Sequence, residues 1–204
     1  MRGIAKFISI VFHPLLFTTY LVILLGLYLP TFLMIRIENI RLVALFIFCF
    51  TFILPGINMM MFRFFGNIRS LKMETREERI MPFIFIALTY ALITFLFFFK
   101  LPFSENFNRL MMISSLLVLA AAVSTFFIKI SVHSMAITGL LGILLPLNWA
   151  TESKVLFWPT FMVTIACGVI MSARLYLNAH TLREVGWGGV VGFAVGFFSM
   201  IALY

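Results

Sequence analysis

Runs of about 20 apolar residues recur along nearly the whole chain, and a helix of that length is what the roughly 30 Å hydrocarbon core of a bilayer requires. The runs cover residues 7–29, 42–62, 82–99, 110–128, 133–150, 155–172 and 185–204. The fifth is short and carries Pro146 near its end. It therefore either crosses the membrane or shares a re-entrant path with its neighbour. The expected fold class is all-α, a polytopic transmembrane helical bundle of six or seven spans. With 63% hydrophobic and only 11% charged residues, a separate soluble domain has no material to form from, so one integral membrane domain over residues 1–204 is expected.

The ends and the thiols fit that picture. Met1 to Lys6 look like the basic start of a signal peptide. The apolar run continues past Tyr28 with no small-residue cleavage pattern, however, so it reads as a retained first span. The formal charge of +8 does not point to nucleic acid, because the basic residues lie in short loops where anionic lipid headgroups are the nearer partners. Cys49 and Cys167 both sit inside apolar stretches and read as buried thiols, with no disulfide or metal site implied.

Ionisable groups at membrane depth are costly and mark function by default. Three clusters stand out. Lys72, Arg76 and Arg79 precede the third span, within a polar insertion from Gly66 to Met81 that reads as a short interfacial helix. Lys129, Ser131 and His133 join the fourth and fifth spans, and Ser172, Arg174, His180 and Glu184 join the sixth and seventh. Two spans separate each consecutive pair, and an even number of crossings returns the chain to its starting face. All three clusters and the N-terminus therefore emerge on one side when the spans number seven.

Such a set suits phosphoryl chemistry. Lys72, Arg79 and Arg174 supply charge and paired donors for phosphate oxygens, and Ser131 with nearby backbone N–H groups completes a cradle. One histidine can attack phosphorus while the other protonates the departing oxygen. Glu184, one helical turn beyond His180, can accept from one ring nitrogen and present the other.

The clusters resemble the three motifs of the type 2 phosphatidic acid phosphatase superfamily, K-x6-R-P, P-S-G-H and S-R-x5-H-x3-D. Lys72 and Arg79 keep the first spacing, with proline three residues late at Pro82. Ser131-Val132-His133 matches the second with Val132 for glycine and Ile130 for proline. Arg174, His180 and Glu184 hold the third, with Ser172 one residue early and glutamate for aspartate. The resemblance covers residues 72–184. It implies His180 as nucleophile, His133 as general acid, Lys72, Arg79, Ser131 and Arg174 as phosphate ligands, and no metal or other cofactor.

The expected function is hydrolysis of a lipid phosphomonoester or diphosphate through a phosphohistidine, with a lipid phosphate and the surrounding membrane lipids as partners. The alternatives are an inactive relative that binds or transports an anionic lipid, and a lipid phosphotransferase.

Simpler readings stand beside these. The 72–79 basic residues can be a solvated face paired with Glu74, Glu77 and Glu78. The two histidines can be satisfied by loop carbonyls, His13 beside Pro14 is structural, and Lys129 anchors a helix end. Gly188, Gly192 and Gly196 share one helix face, which either packs internally or forms a homo-oligomer contact. The face bearing the motifs carries ten Lys and Arg against five, which the positive-inside rule assigns to the cytoplasm. Setting aside Lys72, Arg79 and Arg174 leaves seven against five, and relatives of the resembled family commonly face the periplasm. The membrane implied is a bacterial inner membrane.

Overall fold

A computed structural model describes residues 2–66, 68, 70, 73 and 75–204. Among them seven helices are long and apolar enough to cross a membrane. They are span 1 (Arg2–Tyr28), span 2 (Ile37–Phe64), span 3 (Glu77–Lys100), span 4 (Glu105–Phe127), span 5 (Val132–Ala150), span 6 (Phe157–Tyr176) and span 7 (Leu182–Leu203). One core runs through all of them, joining Phe17, Ile47, Ile93, Phe107, Ile137, Val163 and Met200. The chain is an all-helical integral membrane bundle of seven spans.

Span 5 does not turn back. It runs unbroken through Pro146 to Ala150, and 61% of its membrane window is buried against 28–39% for the others, so it is the central helix of the bundle. Span 7 packs along it without side chains between the backbones. A methyl group added at Gly188 would fall 2.5 Å from the Ser131 carbonyl oxygen, and one at Gly142 2.6 Å from that of Phe193. At Gly192 and Gly196 it would run into the backbone oxygens of Met135 and Gly139. The glycine face is therefore filled from within the chain, and a second copy finds it already covered.

The expected interfacial helix is absent from the described part of the polar insertion. Ile68, Ser70, Met73, Thr75 and Arg76 are not helical, Met73 is left-handed (φ 46°), and helix begins only at Glu77. The end of the charged run becomes the first turn of span 3, where Glu77 and Glu78 meet the positive end of the helix dipole.

Two spans are irregular. In span 2 a π-helical turn, Cys49–Ile53, precedes Pro55, whose ring has no N–H for the Thr51 carbonyl four residues back. The Tyr90 hydroxyl of span 3 donates to that oxygen instead, at 3.1 Å. Span 1 is broken between Val11 and Phe17, and this break positions the site.

Candidate functional site

Pro14 denies an N–H to the helix and drives His13 into extended geometry (φ −66°, ψ 135°). A single 3₁₀ turn, Pro14–Leu16, restarts the chain. Inside a membrane the freed backbone must bond to protein, and two of the bonds that meet this need come from elsewhere in the bundle or further along the span. The Ser9 carbonyl accepts from His133 Nε2 at 3.1 Å and the Val11 carbonyl from the Tyr20 hydroxyl at 2.6 Å. The Ser9 hydroxyl also accepts from Arg174 Nη1 at 3.2 Å. The break thus docks span 1 onto spans 5 and 6. His13 caps the turn through Nδ1, which accepts from the Leu15 N–H at 3.4 Å, and its ring stands edge-on to Phe52 and, 6.0 Å away, to His133.

The link between spans 6 and 7 is built by a capping box. Thr181 caps span 7, and Glu184 reaches back to the Thr181 N–H at 3.2 Å. The same carboxylate oxygen accepts from Nδ1 of the buried His180 at 2.7 Å, which leaves Nε2 for the cavity that the ring lines. Burial is the main reason the imidazole is held well below its ordinary pKa. The Arg79 and Arg174 charges add to this, and the Glu184 carboxylate opposes it. His180 is consequently neutral at neutral pH. The Glu184 carbonyl meanwhile accepts from the Ser131 N–H at 3.0 Å, tying the second cluster to the third.

Arg79 is buried, with Nε donating to the Met73 carbonyl at 2.9 Å and Nη1 to that of Ile130 at 3.2 Å. The left-handed Met73 turns its carbonyl toward this guanidinium, which joins the first cluster to the second. Arg174 keeps one buried donor, Nε, without a partner among the described residues.

These groups enclose a cavity of about 910 Å³. Arg79, Arg174, Lys129, Arg2 and Lys6 line its upper part, and none of the described lining residues is acidic. All three histidines of the chain line it too. Its deeper walls are mainly apolar, with Thr18, Tyr90 and Ser114 among them.

Of the residues singled out from the sequence, His180, His133, Arg79 and Arg174 line this one cavity, and Glu184 stands behind His180. Ser131 does not join them. It is fully buried as the cap of span 5, its hydroxyl accepting from the Ser134 N–H at 3.4 Å and the Ser134 hydroxyl at 2.9 Å. A serine at a helix N-terminus has its own orphan N–H groups to satisfy, and they claim the side chain. Lys72 lies outside the described residues. Arg76 pairs with Glu77 at 3.4 Å, as the simpler reading expects, and its exposed Nη1 also donates to the Phe126 carbonyl at 3.3 Å, whereas the buried Arg79 donates to backbone oxygens and to no acid among the described residues.

Sequence reasoning missed Ser9, and it gave His13 only a structural role, which its cap on the turn bears out, and Lys129 only an anchoring one, although both line the cavity. The available signal was His13-Pro14 in mid-span: a proline that breaks a membrane helix frees backbone groups, and those must face protein or a cavity. Set beside family models, characterised proteins and solved structures, the chain matches none.

Proposed function

We propose that this chain is a lipid phosphatase, hydrolysing a lipid phosphomonoester or diphosphate through a phosphohistidine intermediate, in the inner membrane of a bacterium. The observation that carries the reading is the meeting of a carboxylate-bonded His180 with two guanidinium groups that form no ion pair among the described residues, at the head of a mainly apolar cavity. The three-motif resemblance of residues 72–184 supports it.

In this reading the lipid head lies against Arg79 and Arg174, whose charges stabilise the electron-rich phosphoryl group through the transition state. Nε2 of neutral His180 attacks phosphorus as the bond to the lipid oxygen breaks. Glu184 holds the Nδ1 proton and stabilises the positive charge that develops on the ring. The leaving oxygen takes a proton from His133. Because His133 Nε2–H is committed to the Ser9 carbonyl, the transferable proton is a second one on Nδ1, a buried atom with no partner among the described residues, so the ring donates as the imidazolium, having taken that proton from a monoanionic phosphate head. Water then attacks phosphorus, the N–P bond breaks to release phosphate, and His133 Nδ1 recovers a proton from that water.

The deciding experiment incubates purified protein with a panel of radiolabelled lipid phosphates and diphosphates and measures both free phosphate and acid-labile, base-stable label on the chain. Phosphate release inhibited by vanadate and unaffected by chelators, with label lost in His180→Ala, is the expected result. Binding without turnover on every lipid would select the non-catalytic alternative. Transfer of label to a lipid or sugar without free phosphate would select the phosphotransferase.

A further inference from the structure

The cavity continues far below the phosphate-binding groups, and its walls keep helical register as they descend. On span 5 His133, Ala136, Leu140 and Ile143 line it in descending order, with Val132 and Met135 beside them near the top, and on span 3 the lining residues are Arg79, Phe83, Ile86 and Tyr90. Each descending series is one face of a helix. At 1.5 Å per residue the deepest members, Ile143 and Tyr90, lie about 15 Å below His133 and about 16 Å below Arg79. Two helices therefore give the same depth, about half the hydrocarbon thickness. Leu21 of span 1 also lines the cavity, and Leu21, Tyr90, Leu140 and Ile143 are all at most 5% exposed, so the lower end is enclosed. Near the top, Ile10 lines the cavity while 71% exposed on the outer surface of span 1, which gives a way in from the bilayer.

We infer that the cavity is a ruler: the tail of the lipid phosphate lies inside the protein, and Leu21, Leu140 and Ile143 set the longest tail accepted. Cations at one end and a mainly apolar shaft enclosed at its lower end, with Thr18, Tyr90 and Ser114 its polar lining residues, fit an anionic head with a single hydrocarbon direction. An extended alkyl chain built from 1.52 Å bonds at near-tetrahedral angles rises about 1.25 Å per carbon, so a shaft of about 15 Å holds about twelve carbons. The inference rests on the phosphatase reading for the reaction, but the ruler itself is a binding property.

The test therefore uses two series on the whole protein in nanodiscs. One is n-alkyl phosphonates of 4 to 18 carbons, which cannot be hydrolysed, with binding measured calorimetrically. The other is the matching alkyl phosphates, with phosphate release measured. Affinity should rise by up to about fourfold per added carbon, the Boltzmann factor of one buried methylene, and stop rising near twelve. Ile143→Trp should move that break point down by several carbons and Ile143→Ala should move it up. Leu92→Trp, on the exposed side of span 3, should leave it in place. Variants are compared only when they elute as the native protein does, and the paired shifts in opposite directions cannot come from misfolding. A break point unmoved in both Ile143 variants, or affinity still climbing at 18 carbons, overturns the ruler even if phosphate is released. A break point that moves as expected with no phosphate released from any chain keeps the ruler and removes the hydrolytic reading.

Discussion

At the end of the bundle away from the cavity, Arg36 and Arg109 are paired with acids close in sequence, and Arg41, Lys100 and Lys154 are exposed. Arg109 pairs with Glu105 one turn earlier and lies 5.5 Å over the Tyr204 ring, and Arg36 meets Glu38 at 3.7 Å. The turns there are tied by side chains, with the Ser104 hydroxyl donating to the Leu33 carbonyl at 2.8 Å and Asn106 Nδ2 to that of Phe32 at 3.0 Å. At the cavity end Arg79 and Arg174 reach two backbone carbonyls and a serine hydroxyl instead. Among the described residues of that end, Glu77 pairs with Arg76 and Glu184 with His180. Burying a cation without a carboxylate is expensive, and it is retained where another anion supplies the missing charge. The difference between the ends locates the site more sharply than the number of charges does.

The largest effect expected at the cavity end is from His180→Ala. It should abolish turnover of every substrate whatever its leaving group, because no neighbouring side chain replaces the imidazole as nucleophile. Measurable release from an aryl phosphate by that variant, above a mock preparation, would break the assignment. His133→Ala should be selective. On an alkyl lipid phosphate, whose alkoxide leaves badly, it should lose about 10²- to 10⁴-fold, the range credited to general acid catalysis. On a nitrophenyl ester it should lose far less. Equal losses on both, with no burst on the aryl ester, would remove the reason for naming His133 the acid.

The arginines test the comparison itself. Arg174→Ala should lower kcat/KM by about 10²- to 10³-fold, as for removal of one transition-state donor. Arg109→Ala at the opposite end should leave kcat/KM unchanged and shift stability by no more than about 1 kcal/mol. Similar kinetic losses from the two would mean that the contrast between the ends has no functional content.

The smallest expected effect is a shift in pH profile. His180 acts as the neutral ring, and its pKa is lowered by burial and by the two arginines. Protonation sets in only as pH falls below that lowered value, so activity corrected for substrate ionisation should hold through the usual imidazole range before its acid limb begins. The Glu184 carboxylate opposes the lowering, and Glu184→Gln should therefore move the acid limb further down. An upward movement, measured as kcat/KM against pH, would contradict the sign of that interaction.

Several of these features were legible in the chain. The apolar runs locate all seven helices to within a few residues, with the larger errors at the charged or polar starts of spans 1 to 4. There, hydropathy stops counting before the helix does: Glu77 and Glu78 are polar yet helical. The four-residue interval between His180 and Glu184 anticipates their contact, since on a helix or its capping turn that interval brings two side chains together. The parity of crossings anticipates the meeting of the three clusters. Ser131 was misread because a serine ahead of an apolar run is equally good as a phosphate ligand and as a helix cap, and spacing does not distinguish them.

By itself the sequence determined what local rules and the bilayer can enforce. Apolar length makes the spans, Pro14 and Pro55 place the irregular turns, and Thr181 with Glu184 starts the last helix, because each depends on neighbours a few bonds away. The tertiary structure decided where span 1 lies against spans 5 and 6, and hence that Ser9 and His13 border the site. It decided that the glycine face is used within the chain, and that the cavity ends at Leu21, Leu140 and Ile143. Those outcomes depend on which helix faces cover one another, and apolar faces of similar composition carry no label for their partners until close packing selects one arrangement.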